Sequence, residues 1–189
     1  MSRFKKFSKK HGEPSNCEAV PQKSLELYAN KLPAELLEEW QQSGWCSYGN
    51  GFLWTINPAE YMDVLEDWVE STEGLHPFLR TAFGDIFYWD GQDTQYLDVQ
   101  EGDTTVVFRR MEMLFDGMLC DDKSLNDLLQ HKTFKLALPR LGPPTKDEVY
   151  AFVPPVAMGG SGELDTLKRY KLREHLTILA QLVGHEDDA

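Results

Sequence analysis

The sequence predicts an α+β fold, an antiparallel sheet with helices packed on it, arranged as two small subdomains that share a core. Three observations lead to this prediction. Gly49-Asn50-Gly51 is a strong hairpin turn signal between two short aromatic runs. Residues 77–110 contain further extended runs separated by turns rich in Gly and Asp. Segments with helical apolar spacing flank this region, and 189 residues with 41% apolar content suffice for one domain with a sizeable core.

Short helices are predicted ahead of the hairpin. Pro33 fits the first turn of the second helix, and Gly44 suits its C-terminal cap. The predicted helices and the two hairpin strands lie at residues 24–30, 33–42, 45–48 and 52–56.

A helix with one acidic face follows the hairpin. Asn57 can cap a helix that begins at Pro58 and runs to about Glu70. One side of this helix is apolar, with Tyr61, Val64, Leu65 and Trp68. The opposite side carries Glu60, Asp63, Asp67 and Glu70. Such a face is either a solvated helix exterior or a surface for a cationic partner.

An antiparallel meander comes next, with runs at residues 85–90, 95–99 and 104–109. Its turns place four carboxylates at exposed strand ends: Asp90, Asp93, Glu101 and Asp103. These positions suit either solvation or contact with a partner. Asp85 is the best single candidate for a perturbed pKa, although Gly84 beside it indicates a turn in which Asp bonds its own backbone.

The C-terminal part is predicted to add a short helix, two strands and a terminal helix. They lie at residues 124–129, 148–153, 167–172 and 172–183. Residues 111–119 fit a helix or a strand, and the segment from Pro139 to Pro144 is predicted to be a loop. His175 falls on the apolar side of the terminal helix, where a core histidine bonded to backbone is favoured over a general base.

Residues 1–21 are expected to form a flexible basic leader, since they combine Lys, Ser, Gly and Pro with little apolar content. Three widely spaced cysteines imply no disulfide framework, which predicts a protein of the reducing cytoplasm. No run of 18 apolar residues occurs, so a membrane span is not expected.

The negative charge is unevenly distributed. The chain has a net charge of −12, and residues 32–108 hold fifteen carboxylates against a single basic side chain, Arg80. A field of this sign repels nucleic-acid phosphates and attracts cationic surfaces. Direct nucleic-acid binding through this region is therefore disfavoured, and a basic protein partner is favoured.

The signatures of catalysis are missing from the sequence. Gly159-Gly160-Ser161-Gly162 lacks the lysine of a phosphate-binding loop and the spacing of a nucleophile elbow. The five histidines and three cysteines show no metal-ligand spacing. The sequence thus favours a protein that works by binding, with no cofactor and no metal.

The order of segments resembles a known family. The run Leu36-Leu37-Glu38-Glu39-Trp40, the stretch from Gly51 to Pro58 and the run Phe83-Gly84-Asp85-Ile86-Phe87-Tyr88-Trp89 are similar to a GAD-like domain. The stretch from Asp147 to Gly160 and the region from Leu167 to Val183 resemble the C-terminal domain of a bacterial immunity family. The resemblance implies a GAD-like domain at 22–110 and an immunity-type domain at 111–189, with the leader outside it. In that family the tandem domains neutralise a DNase effector of the type VI secretion system.

The sequence supports three functional hypotheses. The first is an immunity protein whose partner is a cognate basic nuclease effector. Its candidate contacts are Glu60, Asp63, Asp67, Glu70, Asp90, Asp93, Glu101 and Asp103, chosen on charge and turn position. The second is a cytosolic adaptor for another protein, and the third is a small hydrolase built on Asp85. The oligomeric state is left open.

Overall fold

The computed structural model describes residues 2–183 and contains two antiparallel sheets with helices packed against them. The larger sheet has seven strands in strictly sequential order, β1 to β7. Its strands are Ser15–Glu18, Trp45–Tyr48, Leu53–Thr55, His76–Thr81, Ile86–Trp89, Thr94–Asp98 and Asp103–Phe108. The second sheet pairs β8, Glu148–Phe152, with β9, Leu167–Lys171. The predicted α+β class is confirmed.

Eight α-helices surround the larger sheet within the described residues. They are α1 Lys5–His11, α2 Gln22–Tyr28, α3 Ala34–Ser43, α4 Met62–Glu66, α5 Met111–Phe115, α6 Asp122–Asp127, α7 His131–Leu141 and α8 Leu172–Val183. Short 3-10 helices occur at Pro58–Glu60, Met118–Cys120, Val156–Met158 and Leu164–Thr166. None of the helices between residues 2 and 183 has the length and apolar character that crossing a membrane requires.

Strand alternation gives the sheet two apolar faces. Phe87 pairs with Tyr96 on the first face, and Ile86 pairs with Leu97 on the second. Helices from both ends of the chain cover the first face, and α4 and α8 cover the second. Because each apolar cluster contains residues from both halves of the chain, neither half buries its sheet face alone.

The first 21 residues do not form the mobile leader that their composition predicts. Helix α1 buries Phe4 and Phe7 fully, and the Phe4 ring stacks on Phe115 with centroids 4.3 Å apart. Residues Ser15–Glu18 form β1 at the edge of the sheet. The lysines of α1 remain outside, which explains why composition alone points to a solvated segment.

The structure also corrects the cysteine prediction. Cys17 of β1 and Cys46 of β2 form a disulfide, with their Cα atoms 4.2 Å apart. The two residues lie 29 positions apart in sequence and become neighbours only because β1 pairs with β2. Cys120 is a free, half-buried cysteine.

Two helices differ from expectation. The helix expected over residues 58–70 is interrupted at Tyr61, whose φ of −124° and ψ of 3° are not helical, and α4 ends at Glu66. Helix α7 occupies part of the segment predicted as a loop and includes Pro139 near its end. Residues 111–119, left open by the sequence, form α5 and the start of a 3-10 helix.

Candidate protein-binding surface

The first predicted acidic group surrounds α4 on the second face of the sheet. Asn57 Oδ1 accepts a hydrogen bond from the backbone amide of Ala59 at 3.2 Å, so it caps the 3-10 turn as the sequence predicts. Val64 and Leu65 are buried against the sheet. The carboxylates therefore point away from the core, and Asp63, Asp67 and Glu70 are exposed.

Basic and polar groups from the C-terminal part reach this acidic group. Arg173 of α8 forms an ion pair with Asp63 and donates to the carbonyl oxygen of Glu60. The hydrogen bond from Arg173 lowers the pKa of Asp63. Thr177, one turn further along α8, donates to Asp67 Oδ2 at 3.3 Å. The acidic residues around α4 therefore also stabilise the position of helix α8.

Lys146 bridges two carboxylates beside this face. Its Nζ lies 2.9 Å from Glu60 Oε2 and 3.1 Å from Glu18 Oε2. The hydrogen bond that Lys146 donates to Glu60 raises the pKa of Lys146, which stays charged. Residues 58–73 hold six carboxylates and no basic side chain. Among residues 2–183, the basic side chains that form ion pairs with these carboxylates are Lys146 and Arg173, so the surface keeps a net negative charge.

The β5–β6 turn, just before β6 begins, holds two of the predicted meander carboxylates, Asp90 and Asp93. Asp90 Oδ1 accepts from the backbone amides of Gln92 and Asp93 at 2.8 Å and 2.7 Å. Asp93 pairs with Arg109 Nε at 3.1 Å. Asp90 is thus hydrogen-bonded within its own turn and Asp93 is paired with Arg109 of the next strand end. Neither carboxylate is fully exposed.

The β6–β7 turn lies at the opposite end of that strand. Glu101 and Asp103 are exposed there, and a Cβ on Gly102 would lie 3.0 Å from Val183 at the end of α8. Five residues of β6 span roughly 16 Å between the two turns. Helix α8 thus runs from the α4 group to the β6–β7 turn, whereas Asp90 and Asp93 lie apart from them.

Arg80, the single basic side chain of residues 32–108, has a structural role that its sequence context did not predict. Arg80 of β4 is fully buried, with its guanidinium carbon 4.9 Å from the Trp54 ring centroid. Its Nε donates to the Tyr61 hydroxyl at 3.0 Å, and its Nη2 donates to the carbonyls of Thr145 and Lys146. A single arginine directly after the apolar pair Phe78-Leu79 inside a strand is the signal that could have revealed this role.

A cleft of about 450 Å³ lies where the 3-10 turn before α4, the start of α8 and the segment that leads into β8 meet. Glu60, Lys146, Glu148, Lys171 and Arg173 line it. Its charges are mixed, and ion pairs already occupy several of them. The arrangement suits polar contact with a protein surface better than capture of a small apolar ligand.

The candidate catalytic residue belongs to the sheet interior. Asp85 is 2% exposed, accepts from Thr81 Oγ1 at 2.7 Å and accepts from the Val99 amide at 3.3 Å. Burial, followed by repulsion from Asp98, raises the pKa of Asp85 to about 7, as the sequence anticipated. Its burial within the sheet, rather than beside the cleft at the start of α8, is the arrangement of a structural carboxyl.

The histidine of α8 is buried as well. His175 is 3% exposed, and its Nε2 has no hydrogen-bond partner among the described residues, contrary to the expected backbone bond. Burial lowers the pKa of His175 to about 4, so the ring is neutral at physiological pH. Within residues 2–183 no group of three or more His, Cys, Asp or Glu side chains is arranged to hold a metal ion.

The chain is similar to known proteins over nearly its whole length. Residues 2–101 match the model of the GAD-like domain, and residues 110–183 match that of the T6SS immunity protein Tdi1, C-terminal. The first match begins at residue 2, so the basic N-terminal segment lies inside it. No curated protein gives a significant match.

A solved structure shares the fold. It is described as "Crystal structure of Atu4351 from Agrobacterium tumefaciens", and it superimposes with a TM-score of 0.78 at 18% identity. The alignment covers 94% of this chain and 88% of that chain. At this identity the likeness establishes the architecture alone. With the match over residues 2–101, the chain belongs to the GAD-like domain family, followed by a segment that matches the Tdi1 C-terminal domain.

Proposed function

We propose that this protein is an immunity protein that binds and neutralises a DNase toxin delivered by a type VI secretion system. The observation that carries the proposal is the match of residues 110–183 to the C-terminal domain of a T6SS immunity protein, directly after a GAD-like domain. The protein acts by binding, without catalysis of its own. It works in the cytoplasm.

The proposed contact is the acidic surface around α4. A DNase holds DNA by neutralising phosphates with basic side chains, so its substrate groove is cationic. Carboxylates at Glu60, Asp63, Asp67 and Glu70 can take the place of phosphates in that groove. The same charge disfavours direct binding of nucleic acid by the immunity protein itself.

The intramolecular ion pairs do not block this surface. The Asp63 and Arg173 side chains are 67% and 50% exposed, so solvent screens their attraction. A basic side chain of the toxin can therefore share or replace Arg173 at small cost. The exposed carboxylates set the rate of encounter, and tight binding needs additional desolvated anchors.

Asp90, Asp93, Glu101 and Asp103 are secondary contacts in this proposal. Asp90 and Asp93 lie at the end of β6 opposite to the β6–β7 turn, and they are held by their own turn and by Arg109. Glu101 and Asp103 lie at the α8 end of the second face and extend the acidic surface.

Co-expression with the toxin encoded beside the immunity gene tests the proposal. Growth should be rescued by the wild-type chain, and the Asp67→Lys/Glu70→Lys double variant should weaken toxin binding and reduce its salt dependence. Glu13→Lys/Glu26→Lys makes the same change in net charge at exposed positions outside the acidic residues 58–73 and serves as the matched control. Absence of rescue by the wild-type chain would reject the immunity role. Equal loss in both double variants would reject the α4 surface while leaving the role intact.

A further inference from the structure

The two edges of the seven-stranded sheet differ in how they are protected. Strand β1 is interrupted by Asn16, whose φ of +51° breaks the regular pairing between Ser15 and Glu18. Such an irregular edge is a poor template for another strand. Strand β7 pairs in continuous register with β6 from Asp103 to Val106, and the pairing shifts by one residue only at Val107, before Phe108. Its outer edge is therefore regular over the four residues from Asp103 to Val106.

Strand β7 is open along this outer edge. Within residues 2–183 it is the last strand of the sheet, and only β6 pairs with it. Thr104 and Thr105 are exposed, and Val106 is 60% exposed. β-Branched side chains favour strand pairing, and this run contains no proline or lysine to prevent it.

Apolar side chains flank the open edge. Met113 lies on α5, which contacts β7, and is 42% exposed. Leu128 is 44% exposed, and its carbonyl oxygen accepts from the hydroxyl of Tyr96, the cross-strand partner of Thr105. Together with Val106, these side chains give the edge an apolar component beyond its backbone groups.

The charges around β7 are self-complementary. Glu101 and Asp103 stand at the beginning of the strand. The exposed Arg110 follows its end, after Arg109, which also pairs with Asp93 of its own chain. When two such strands pair antiparallel about a two-fold axis, the acidic end of each lies beside the basic end of the other. A cationic nuclease surface would instead meet two arginines here, which disfavours the toxin as the occupant.

We propose that β7 pairs antiparallel with β7 of a second copy of this chain, joining the two sheets across the subunit boundary. The interface is isologous, so every favourable contact occurs twice. The α4 surface lies over the second face of the sheet rather than at its edge, and remains available in the dimer. Asp103 is then engaged by the second copy, which leaves Glu101 to extend the acidic surface.

Sedimentation equilibrium of the full chain without toxin, from low to high micromolar concentration, tests this inference independently of the immunity role. The wild-type chain should reach twice the chain mass, and Val106→Lys should remain monomeric. Asp103→Arg and Arg110→Asp should each weaken the dimer by roughly tenfold, because each change places like charges together twice. The double variant, with the charges exchanged, should restore it, and Glu13→Arg should have no effect.

A wild-type chain that stays monomeric throughout this range would overturn the inference. So would a charge-exchanged double variant that fails to recover while retaining the wild-type circular dichroism spectrum. If Val106→Lys instead abolishes toxin binding by a monomeric wild-type chain, the edge belongs to the toxin and not to a second copy.

Discussion

Arg80 Nη2 donates to the backbone carbonyl of Lys146 at 2.9 Å, which ties strand β4 to the segment that leads into β8. The same guanidinium contacts the Trp54 ring and the Tyr61 hydroxyl. One buried cation thus joins the GAD-like part to the C-terminal part. Lys146 in turn bridges Glu18 and Glu60, so the acidic surface is positioned through this residue.

Replacement of Arg80 should destabilise the whole chain. Arg80→Lys retains the charge but cannot make hydrogen bonds in several directions at once, so we expect a loss of about 3 kcal/mol in unfolding free energy. Urea unfolding followed by tryptophan fluorescence measures it. Arg109→Lys, at an exposed position, is the control and should change stability by less than about 0.5 kcal/mol. Equal effects of the two variants would contradict the role assigned to Arg80.

Asp85 should make stability fall as the pH rises from about 4 to about 7. Its pKa is raised to about 7 by burial, so in this window the folded chain binds more protons than the unfolded chain. Asp85→Asn removes this ionisation, and the difference in unfolding free energy between the two proteins should change by on the order of 2–4 kcal/mol across the window. Urea unfolding at stepped pH values gives that difference. A difference that is constant with pH would show that Asp85 does not titrate in this range.

His175 should have the opposite effect on the pH dependence of stability. Because burial lowers its pKa to about 4, the folded chain binds fewer protons than the unfolded chain between about 4 and 6.5, and stability falls as the pH drops through that window. His175→Leu also removes the unpartnered Nε2, so the variant should resist acid better by about 2–3 kcal/mol near pH 4. Thermal unfolding at pH 7 and pH 4.5 checks this. A variant that loses as much stability on acidification as the wild type would refute it.

The N-terminal helix should contribute substantially to stability. Phe7 is fully buried, and its ring centroid lies 5.1 Å from that of Phe115 and 4.9 Å from that of Tyr48. Phe7→Ala leaves a cavity and should cost about 3–4 kcal/mol. Lys9→Ala on the exposed side of the same helix is the control. Similar urea midpoints for wild type and Phe7→Ala would restore the view of a mobile leader.

Removal of Arg173 should accelerate toxin capture, if the proposed function holds. Arg173→Ala releases Asp63 from its ion pair and makes the α4 surface more negative. We expect an association rate a few-fold higher at low salt, with the gain lost at high salt. Stopped-flow mixing with the nuclease domain measures the rate, and Arg169→Ala, at the edge of the small sheet, is the comparison. An unchanged or slower rate would argue against electrostatic capture at Asp63.

The meander and its hairpins could be predicted because they depend on local signals. Asn50 adopts a φ of +60° and Gly51 a φ of +86°, as the Gly-Asn-Gly sequence indicates. The sequence does not predict helix α7, because Pro139 indicates a helix break. In the structure, Pro139 lies near the end of the helix, and burial of Phe134 and Ala137 outweighs the hydrogen bond that proline removes.

The features that the sequence does not predict are contacts between residues that lie far apart in the chain. Nothing near Tyr61 in sequence indicates that the helix will break at this residue or that Arg80 will bond its hydroxyl. Likewise, the approach of Arg173 to Asp63 joins residues 110 positions apart. The sequence located the carboxylates, but which of them remain unneutralised depends on packing between the two ends of the chain.

The strictly sequential strand order has a consequence for synthesis. Each strand of the large sheet pairs with its neighbour in the chain, so strands can add one by one as the polypeptide leaves the ribosome. Helix α8, which shields the second face beside Gly84 and Gly102, is made last among the described elements. Nascent chains therefore expose that apolar face until translation nears its end. During this stage they depend most on chaperones.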